Sequence, residues 1–301
     1  MSDKKYKVLA LSGGGAHGDI IATFFSYLKT NRLLDGVDAI TGASVGGMLT
    51  LAYAIGKTPE EVVSIFRSSV SKIFSKRWQA RIWPLACPTY DNKTLDSVVE
   101  TLVGDKRVGD IRKVYPDLSI FVGSVNVTDD KFKMYDNITG ADDDVLLKDI
   151  AGQTSAAPSY FYGRDYKGKC MVDQGIVDNF GAISAATGLR HKKGVEFKDM
   201  DVLVMGCGKD VDTKDVATPK RYNNYSLLQI CTNLIVPYVT FSNQCITEFW
   251  GKNMGFNSFQ IFNPVTTECR MDDIDNLPSY EKQCQEHRAE FLEVWHTWLG
   301  K

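Results

Sequence analysis

The sequence lacks the features that mark membrane-spanning, secreted and nucleic-acid-binding proteins. Its seven cysteines include no CxxC pair, and its 35 basic and 37 acidic residues leave a net charge of −2, which disfavours a nucleic-acid partner. No apolar run approaches the ~20 residues of a transmembrane helix. The apolar stretch before the first glycines, residues 8–11, is too short for a signal-peptide core. Scattered cysteines, odd in number, predict reduced thiols and a cytoplasmic protein.

Metal-binding patterns are also missing. The chain has four histidines but no His-Glu-x-x-His and no EF-hand loop, so we predict neither a metal nor another cofactor. The acidic run at 142–144 is interpreted as a helix start. Without an internal repeat or a linker-like change in composition, residues 1–301 are predicted to form a single domain.

Strands and helices alternate at the start of the chain. Residues 6–12 and 37–41 are short apolar strands; each ends at glycines, and helices are predicted at 19–34 and from 45 to 55. This order predicts a mainly parallel sheet with crossover helices. Further helices are predicted at 59–74, 93–103, 145–151, 224–250 (two, divided at Pro237) and 280–299, and strands at 118–127, 131–136, 160–162, 170–173 and 201–205.

The second glycine turn contains a candidate nucleophile, Ser44, in a G-x-S-x-G pattern between Gly42 and Gly46. A serine on a sharp strand-to-helix turn is exposed and strained, so its neighbours must be very small. The following helix directs its positive N-terminal end toward an oxyanion formed near Ser44. The alternative is a serine that only caps this helix.

The first glycine turn, Gly13 to Gly18, also satisfies the dinucleotide pattern G-x-G-x-x-G. That use requires a carboxylate at the end of the second strand, where this chain has Thr41-Gly42-Ala43-Ser44. The loop also lacks the Lys-Ser/Thr of a phosphate-binding P-loop. The alternative use of consecutive glycines is an oxyanion hole formed by their backbone amides. If both glycine turns lie at the same edge of the sheet, they would form an acyl-transfer site.

The base that would activate Ser44 is less evident from the residues. His17 lies inside the glycine loop, and the other three histidines lie in a polar run or on the last predicted helix. Asp173 follows a short apolar strand just before Gly175, where partial burial would raise its pKa toward that of a general base. A turn or capping aspartate is the equally weighted alternative.

These residues together resemble the patatin-like phospholipases, serine lipid acyl hydrolases with a three-layer α/β/α fold. The glycine loop, the nucleophile turn, the stretch Thr154-Ser155-Ala156-Ala157-Pro158-Ser159-Tyr160-Phe161 and the motif Asp173-Gln174-Gly175 match the family in order. The similarity extends over about residues 6–210, and residues 211–301 are interpreted as a mainly helical part of the same domain. Two positions depart from the family: His17, where Arg or Lys is common, and Gln174, where glycine is usual.

The resemblance implies the chemistry and its residues. Ser44 is the nucleophile and Asp173 the general base, Gly13, Gly14 and Gly15 form the oxyanion hole, and Gly18, Gly42, Gly46 and Gly175 support the turns. The implied function is metal-independent phospholipase A activity at a membrane surface, with no nucleic-acid partner. Transacylation, hydrolysis of other lipid esters and a nucleotide-binding module are the alternatives. Interleaved Trp and basic residues at 76–84 suit a peripheral membrane contact, although a connecting loop whose tryptophans pack on the core is the slightly favoured interpretation.

Overall fold

The computed structural model describes residues 5–76, 88–210, 243–267, 272 and 274–300. The strands are β1 (Tyr6–Leu11), β2 (Ala39–Gly42), β3 (Ser119–Asn126), β4 (Lys131–Asp136), β5 (Arg164–Tyr166), β6 (Lys169–Asp173), β7 (Met200–Met205), β8 (Lys209–Asp210), β9 (Ser258–Phe262) and β10 (Thr266–Thr267). The helices are α1 (Gly18–Ser26), α2 (Val45–Ala54), α3 (Pro59–Ile73), α4 (Asn92–Val103), α5 (Ile111–Val114), α6 (Leu147–Thr154), α7 (Ala182–Lys193), α8 (Asn243–Asn253), α9 (Leu277–Glu286) and α10 (Arg288–Leu299).

One eight-stranded sheet organises the molecule, in the order β5-β6-β3-β2-β1-β7-β9, with β4 paired to β3. Strands β1, β2, β3, β7 and β9 run parallel to one another. Strands β4 and β6 are antiparallel to β3, and β5 is antiparallel to β6. The predicted mainly parallel sheet is therefore confirmed, with an antiparallel group at one side.

The central strands are covered on both faces. Along β1, Leu9 and Leu11 join the larger hydrophobic core, whereas Val8 and Ala10 join a second core on the opposite face. Successive strand side chains point to opposite faces, so a strand buried on both sides appears as an unbroken apolar run. Helices α1, α2, α3, α4, α6, α9 and α10 contribute to the first core and α7 to the second. The three-layer α/β/α architecture is thus confirmed.

Two predicted helix limits are wrong. The helix predicted at 19–34 ends at Ser26. A crossover helix must carry the chain back only over the length of the preceding strand, which for β1 is about 20 Å. The 12 residues from Gly15 to Ser26 already rise about 18 Å. The helix predicted at 280–299 is divided at His287 into α9 and α10.

Other local predictions fail where side chains find tertiary partners. The acidic run does not start a helix: Asp142 pairs with Lys133 at 2.8 Å and accepts the Asp136 N–H at 3.1 Å, and α6 begins only at Leu147. Residues 160–162 form the end of a turn, a bend and irregular backbone rather than a strand. The helix at 59–74 is confirmed with its Thr58–Glu61 capping box. Of the predicted helices at 224–250, residues 224–242 lie outside the described ranges.

Candidate active site

Ser44 occupies the sharp turn between β2 and α2. Its backbone is in a strained conformation for a residue with a side chain, at φ 52° and ψ −126°. Ser44 stands at the N-cap position of α2, yet its side chain makes no capping hydrogen bond. The geometry therefore does not favour the alternative in which Ser44 only caps the helix.

The glycines beside Ser44 are required by close backbone contacts. A Cβ atom at Gly42 would lie 2.3 Å from the Gly46 carbonyl oxygen, and one at Gly46 would lie 2.2 Å from the Leu11 carbonyl oxygen. At Gly18, a Cβ would lie 2.3 Å from Val45 Cγ2. A larger residue at these positions would displace the turn that carries Ser44.

Sheet topology brings Asp173 to Ser44. Strand β2 runs parallel to β3 opposite residues 119–121, and β6 runs antiparallel to β3 opposite residues 124–126. Strand β4 pairs with the opposite edge of β3, so both β2 and β6 pair with the same edge. Because these two strands run in opposite directions, their carboxyl ends face each other. Asp173, the last residue of β6, pairs with Ser124 and thereby lies next to the turn that follows β2.

The Asp173 carboxyl group is buried and hydrogen-bonded. It is 3% exposed and accepts the Gly175 N–H at 2.7 Å, and the Ser44 side chain lies close enough to lower its pKa. Burial outweighs these two interactions and raises the pKa of Asp173 from its ordinary 3.8 to about 7. A general base with a pKa near the working pH is well matched to accept a proton from a serine hydroxyl.

The glycine loop lies beside Ser44, but its three amides differ in their surroundings. The Gly13 N–H donates to the Asn179 carbonyl oxygen at 2.9 Å and is therefore already engaged, so its part in an oxyanion hole stays a prediction. Gly14 and Gly15 follow, and Gly15 (φ +60°) lines the same cavity as Ser44. The candidate donors of the loop are therefore the Gly14 and Gly15 amides.

None of the four histidines lines the Ser44 cavity in the described part of the chain. His17 is fully buried, and its ring packs edge-on against Tyr280 at 5.2 Å. It therefore faces α9 rather than the nucleophile.

A small apolar cavity adjoins Ser44, with a volume of about 40 Å³. Ligand sites typically occupy roughly 300–1,000 Å³, so an acyl chain requires the walls to move apart. The apolar side chains that line the cavity are Val45, Met48, Phe66, Ile73, Phe74, Leu95, Ala157, Tyr160 and Phe161.

A model of the patatin-like phospholipase family matches residues 9–186, from β1 through the glycine loop, Ser44 and Asp173 into α7. The chain belongs to the patatin-like phospholipase family. Membership and the phospholipase relatives support lipid acyl hydrolase activity in this chain. The glycine loop is therefore that of a patatin-like phospholipase rather than of a dinucleotide-binding module.

Relatives of this patatin-like phospholipase occur in bacteria and plants. The cGAMP-activated phospholipase of Escherichia coli (strain TW11681) is 28% identical, over 90% of this chain and 80% of that protein. The cGAMP-activated phospholipase of Vibrio cholerae is 30% identical, over 52% of this chain and 49% of its own length. Patatin-17 of Solanum cardiophyllum is 26% identical over 77% of this chain and 70% of its own.

The crystal structure of VipD from Legionella pneumophila is similar in fold to this patatin-like phospholipase. Its TM-score is 0.52 at 13% identity, covering 97% of this chain and 67% of VipD. No helix within the described ranges combines the length and apolar character needed to cross a bilayer. The suggested membrane contact at 76–84 lies outside the described residues except for Lys76.

Two further residues hold the site together. Thr154, in the family stretch, accepts the Ser44 N–H through its Oγ1 at 3.2 Å. Asn179 contacts Gly13 twice, through its backbone carbonyl at 2.9 Å and through its Nδ2, which donates to the Gly13 carbonyl oxygen at 3.3 Å. Its Oδ1 also lies 2.8 Å from where a Gly175 Cβ would be. Asn179 thus joins the glycine loop to the loop after Asp173, and no sequence motif indicates this.

We expect Asn179→Ala to lower kcat about 10- to 100-fold with little change in KM, because the glycine loop would lose a side-chain contact that sets its position. Initial rates of ester hydrolysis and urea unfolding curves measure both parts of this prediction. The control is Asn253→Ala on α8, which also removes an amide bonded to a carbonyl oxygen. An equal loss of kcat and of folded protein would assign Asn179 a structural role only.

Proposed function

We propose that this chain hydrolyses fatty-acyl esters of phospholipids, as a phospholipase of the A type, through a Ser44–Asp173 dyad. The observation that carries the proposal is the closeness of a strained turn serine to a buried aspartate, Asp173, whose pKa is raised to about 7 and which feels the serine side chain. Glycine amides beside this pair supply donors for an oxyanion.

The proposed reaction has two halves. Asp173 accepts the Ser44 proton as Oγ attacks the ester carbonyl carbon, and the Gly14 and Gly15 amides bind the resulting oxyanion. When this intermediate collapses, the lysophospholipid alkoxide leaves and takes the proton back from Asp173. Water then gives a proton to Asp173 and attacks the acyl-serine carbonyl carbon. When this second intermediate collapses, the fatty acid is released and Ser44 Oγ takes the proton back from Asp173, which restores the hydroxyl. No step in this scheme requires a metal.

Acyl transfer is the second candidate, because the cavity beside Ser44 is apolar and restricts access of water to the acyl-serine. A lipid alcohol would then accept the acyl group in place of water.

Two relatives are named as cGAMP-activated, and we propose that cyclic GMP–AMP also raises the activity of this chain.

Incubation with phospholipid liposomes is expected to release fatty acid and lysophospholipid in equal amounts, and EDTA should not change the rate. Mass spectrometry of the lipids, with and without cyclic GMP–AMP, measures both products. Parallel vesicles that contain triglyceride or lysophospholipid test other esters. Transfer would appear as newly acylated lipid without free fatty acid. Cleavage of glycerides alone, under both conditions, would contradict the phospholipase assignment.

A further inference from the structure

A buried glutamine follows the proposed general base directly in sequence. Gln174 is fully buried, although it begins the turn that comes after Asp173 at the end of β6. Glutamine is mostly an exposed residue, and a buried polar side chain nearly always has hydrogen-bond partners. Because glycine is usual at this position in the family, the contacts of the Gln174 side chain belong to this chain and are not part of the family motif.

The Gln174 side-chain amide uses both of its ends to join two separate segments. Its Oε1 accepts the Gly123 N–H in β3 at 2.6 Å, and its Nε2 donates to the Asp178 carbonyl oxygen at 3.2 Å. The backbone carbonyl oxygen of Gln174 also accepts the N–H groups of Val177 and Asp178, at 2.9 and 3.0 Å. Gln174 therefore ties the loop after Asp173 to the central sheet.

The Gly123 N–H lies at a gap in the strand pairing. Along one edge of β3, β2 pairs with residues 119–121 and β6 with residues 124–126. Gly123 lies between these two pairings, and there the Gln174 oxygen supplies the acceptor that a strand supplies elsewhere. A buried N–H group without an acceptor would destabilise the fold. Gln174 thus fills the gap at the point where the carboxyl ends of β2 and β6 face each other.

Glycine at position 123 gives the Gln174 amide room to approach. A Cβ atom at Gly123 would lie 3.1 Å from Gln174 Oε1 and 2.6 Å from Cζ of Phe132. A glycine inside a strand often marks such a close approach. The two residues therefore fit each other, since Gly123 provides the space and the donor, and Gln174 provides the acceptor.

A second anchor of the same loop lies at the start of α7. The Asp178 carboxylate accepts the Gly181 N–H at 2.8 Å. It also accepts the N–H of Ser184 at 3.2 Å and the hydroxyl of Ser184 at 2.5 Å, in the first turn of α7. The loop of residues 174–178 is thus held at both ends, by the sheet at Gln174 and by α7 at Asp178.

This loop connects the two halves of the proposed catalytic site. Asp173 precedes it, and Asn179 follows it and contacts Gly13 through two hydrogen bonds. Gln174 does not line the cavity beside Ser44. Its side chain can therefore influence the reaction only through these neighbours, the base on one side and the glycine loop on the other.

We propose that Gln174 is a positioning residue for the reaction of Ser44, because its amide holds Asp173 and, through Asn179, the glycine loop in place. The inference rests on the proposed Ser44–Asp173 dyad. Loss of the amide frees the loop of residues 174–178 from β3 but leaves the cavity walls unchanged. A displacement of about 1 Å at the reacting groups costs roughly 100-fold in rate.

The probe is a fluorophosphonate, whose reaction with Ser44 Oγ requires no particular lipid. We expect Gln174→Ala to lower the second-order rate of Ser44 labelling about 10- to 100-fold, and kcat for phospholipid by the same factor with KM unchanged. Gln174→Met keeps the length of the side chain but has no amide, and it should lose as much. Rates are referred to the folded fraction, which urea unfolding measures.

The matched control is Asn137→Ala. The Asn137 side chain is buried at the opposite end of β3, where its Oδ1 accepts the Ile120 N–H at 3.0 Å and its Nδ2 donates to the Leu118 carbonyl oxygen at 2.8 Å. This variant loses the same two kinds of hydrogen bond as Gln174→Ala. We expect it to lower the urea midpoint in a similar way but to be labelled, and to hydrolyse lipid, at the wild-type rate.

A double variant tests the path through Asn179. Gln174→Ala and Asn179→Ala act on one loop, so their combined loss of labelling rate should be smaller than the product of the two single losses. Fully multiplicative losses would mean that Gln174 does not act on the glycine loop through Asn179, and would overturn that path.

The outcomes separate this inference from the proposed function. A wild-type labelling rate in Gln174→Ala or Gln174→Met, or an equal loss in Asn137→Ala, would overturn the positioning role and leave the dyad intact. A raised KM with unchanged kcat would also overturn it, because Gln174 would then act on substrate binding. Absence of Ser44 labelling in the wild-type chain would instead overturn the proposed function.

Discussion

Replacement of Ser44 by alanine is expected to lower kcat/KM about 10⁴- to 10⁶-fold, the loss seen when the nucleophile of a serine hydrolase is removed. The expectation follows from the position of Ser44, whose hydroxyl lies close enough to Asp173 to lower its pKa and is not used to cap α2. Substrate affinity should change little, because the cavity walls are formed mostly by other side chains.

A fluorophosphonate probe measures the same prediction without lipid. The wild-type chain should be labelled on Ser44 Oγ, and Ser44→Ala should not be labelled. Ser68→Ala, which removes an exposed hydroxyl on α3, is the control and should retain labelling and hydrolysis. Persistent labelling of Ser44→Ala at another serine, with hydrolysis intact, would assign the reaction to a different residue.

The second large effect is expected at Asp173, where Asn cannot accept the serine proton. Asp173→Asn should lower kcat/KM about 10³- to 10⁴-fold. Because burial raises the pKa of Asp173 to about 7, the wild-type rate should fall tenfold for each pH unit below 7 as the base becomes protonated. The residual activity of Asp173→Asn should lack this dependence. A wild-type profile that is flat from pH 5 to 8 would exclude Asp173 as the base.

The same substitution is expected to stabilise the fold at alkaline pH. The folded-state pKa of Asp173 lies above its ordinary 3.8, so its favourable contribution to stability is complete below pH 3.8 and is lost as pH rises through about 7. The rise from 3.8 to about 7 corresponds to at most about 4 kcal/mol at pH 8. Asn is neutral throughout and avoids this loss.

Urea unfolding at pH 8 should therefore show Asp173→Asn to be more stable than wild type, with the difference disappearing near pH 4. Asp117→Asn, at an exposed aspartate in a turn, is the control and should show no such pH-dependent gain. Lower stability of Asp173→Asn at pH 8 would mean that the carboxylate is better solvated than its 3% exposure implies.

Features formed by neighbours in sequence could be predicted from the residues alone. The two strand–glycine–helix units, the capping box at Thr58 and the turn that presents Ser44 all depend on contacts within a few residues. The small residues around Ser44 are an example: the Gly42 and Gly46 contacts leave no room for a side chain, so the pattern itself indicates the turn. Ser44 and Asp173 were both identified as candidates in this way.

Features formed by distant segments depended on the tertiary structure. Whether Asp173 is only a turn residue or a partner of Ser44 depends on strand pairing. Strand β6 lies antiparallel to β3, along the same edge of β3 with which β2 pairs. The Asn179 carbonyl oxygen accepts the Gly13 N–H, although the two residues are far apart in sequence. Lys133 forms an ion pair with Asp142, which therefore does not start a helix. Local patterns carry no information about these contacts, because strand pairing and burial are decided by the packing of the whole sheet.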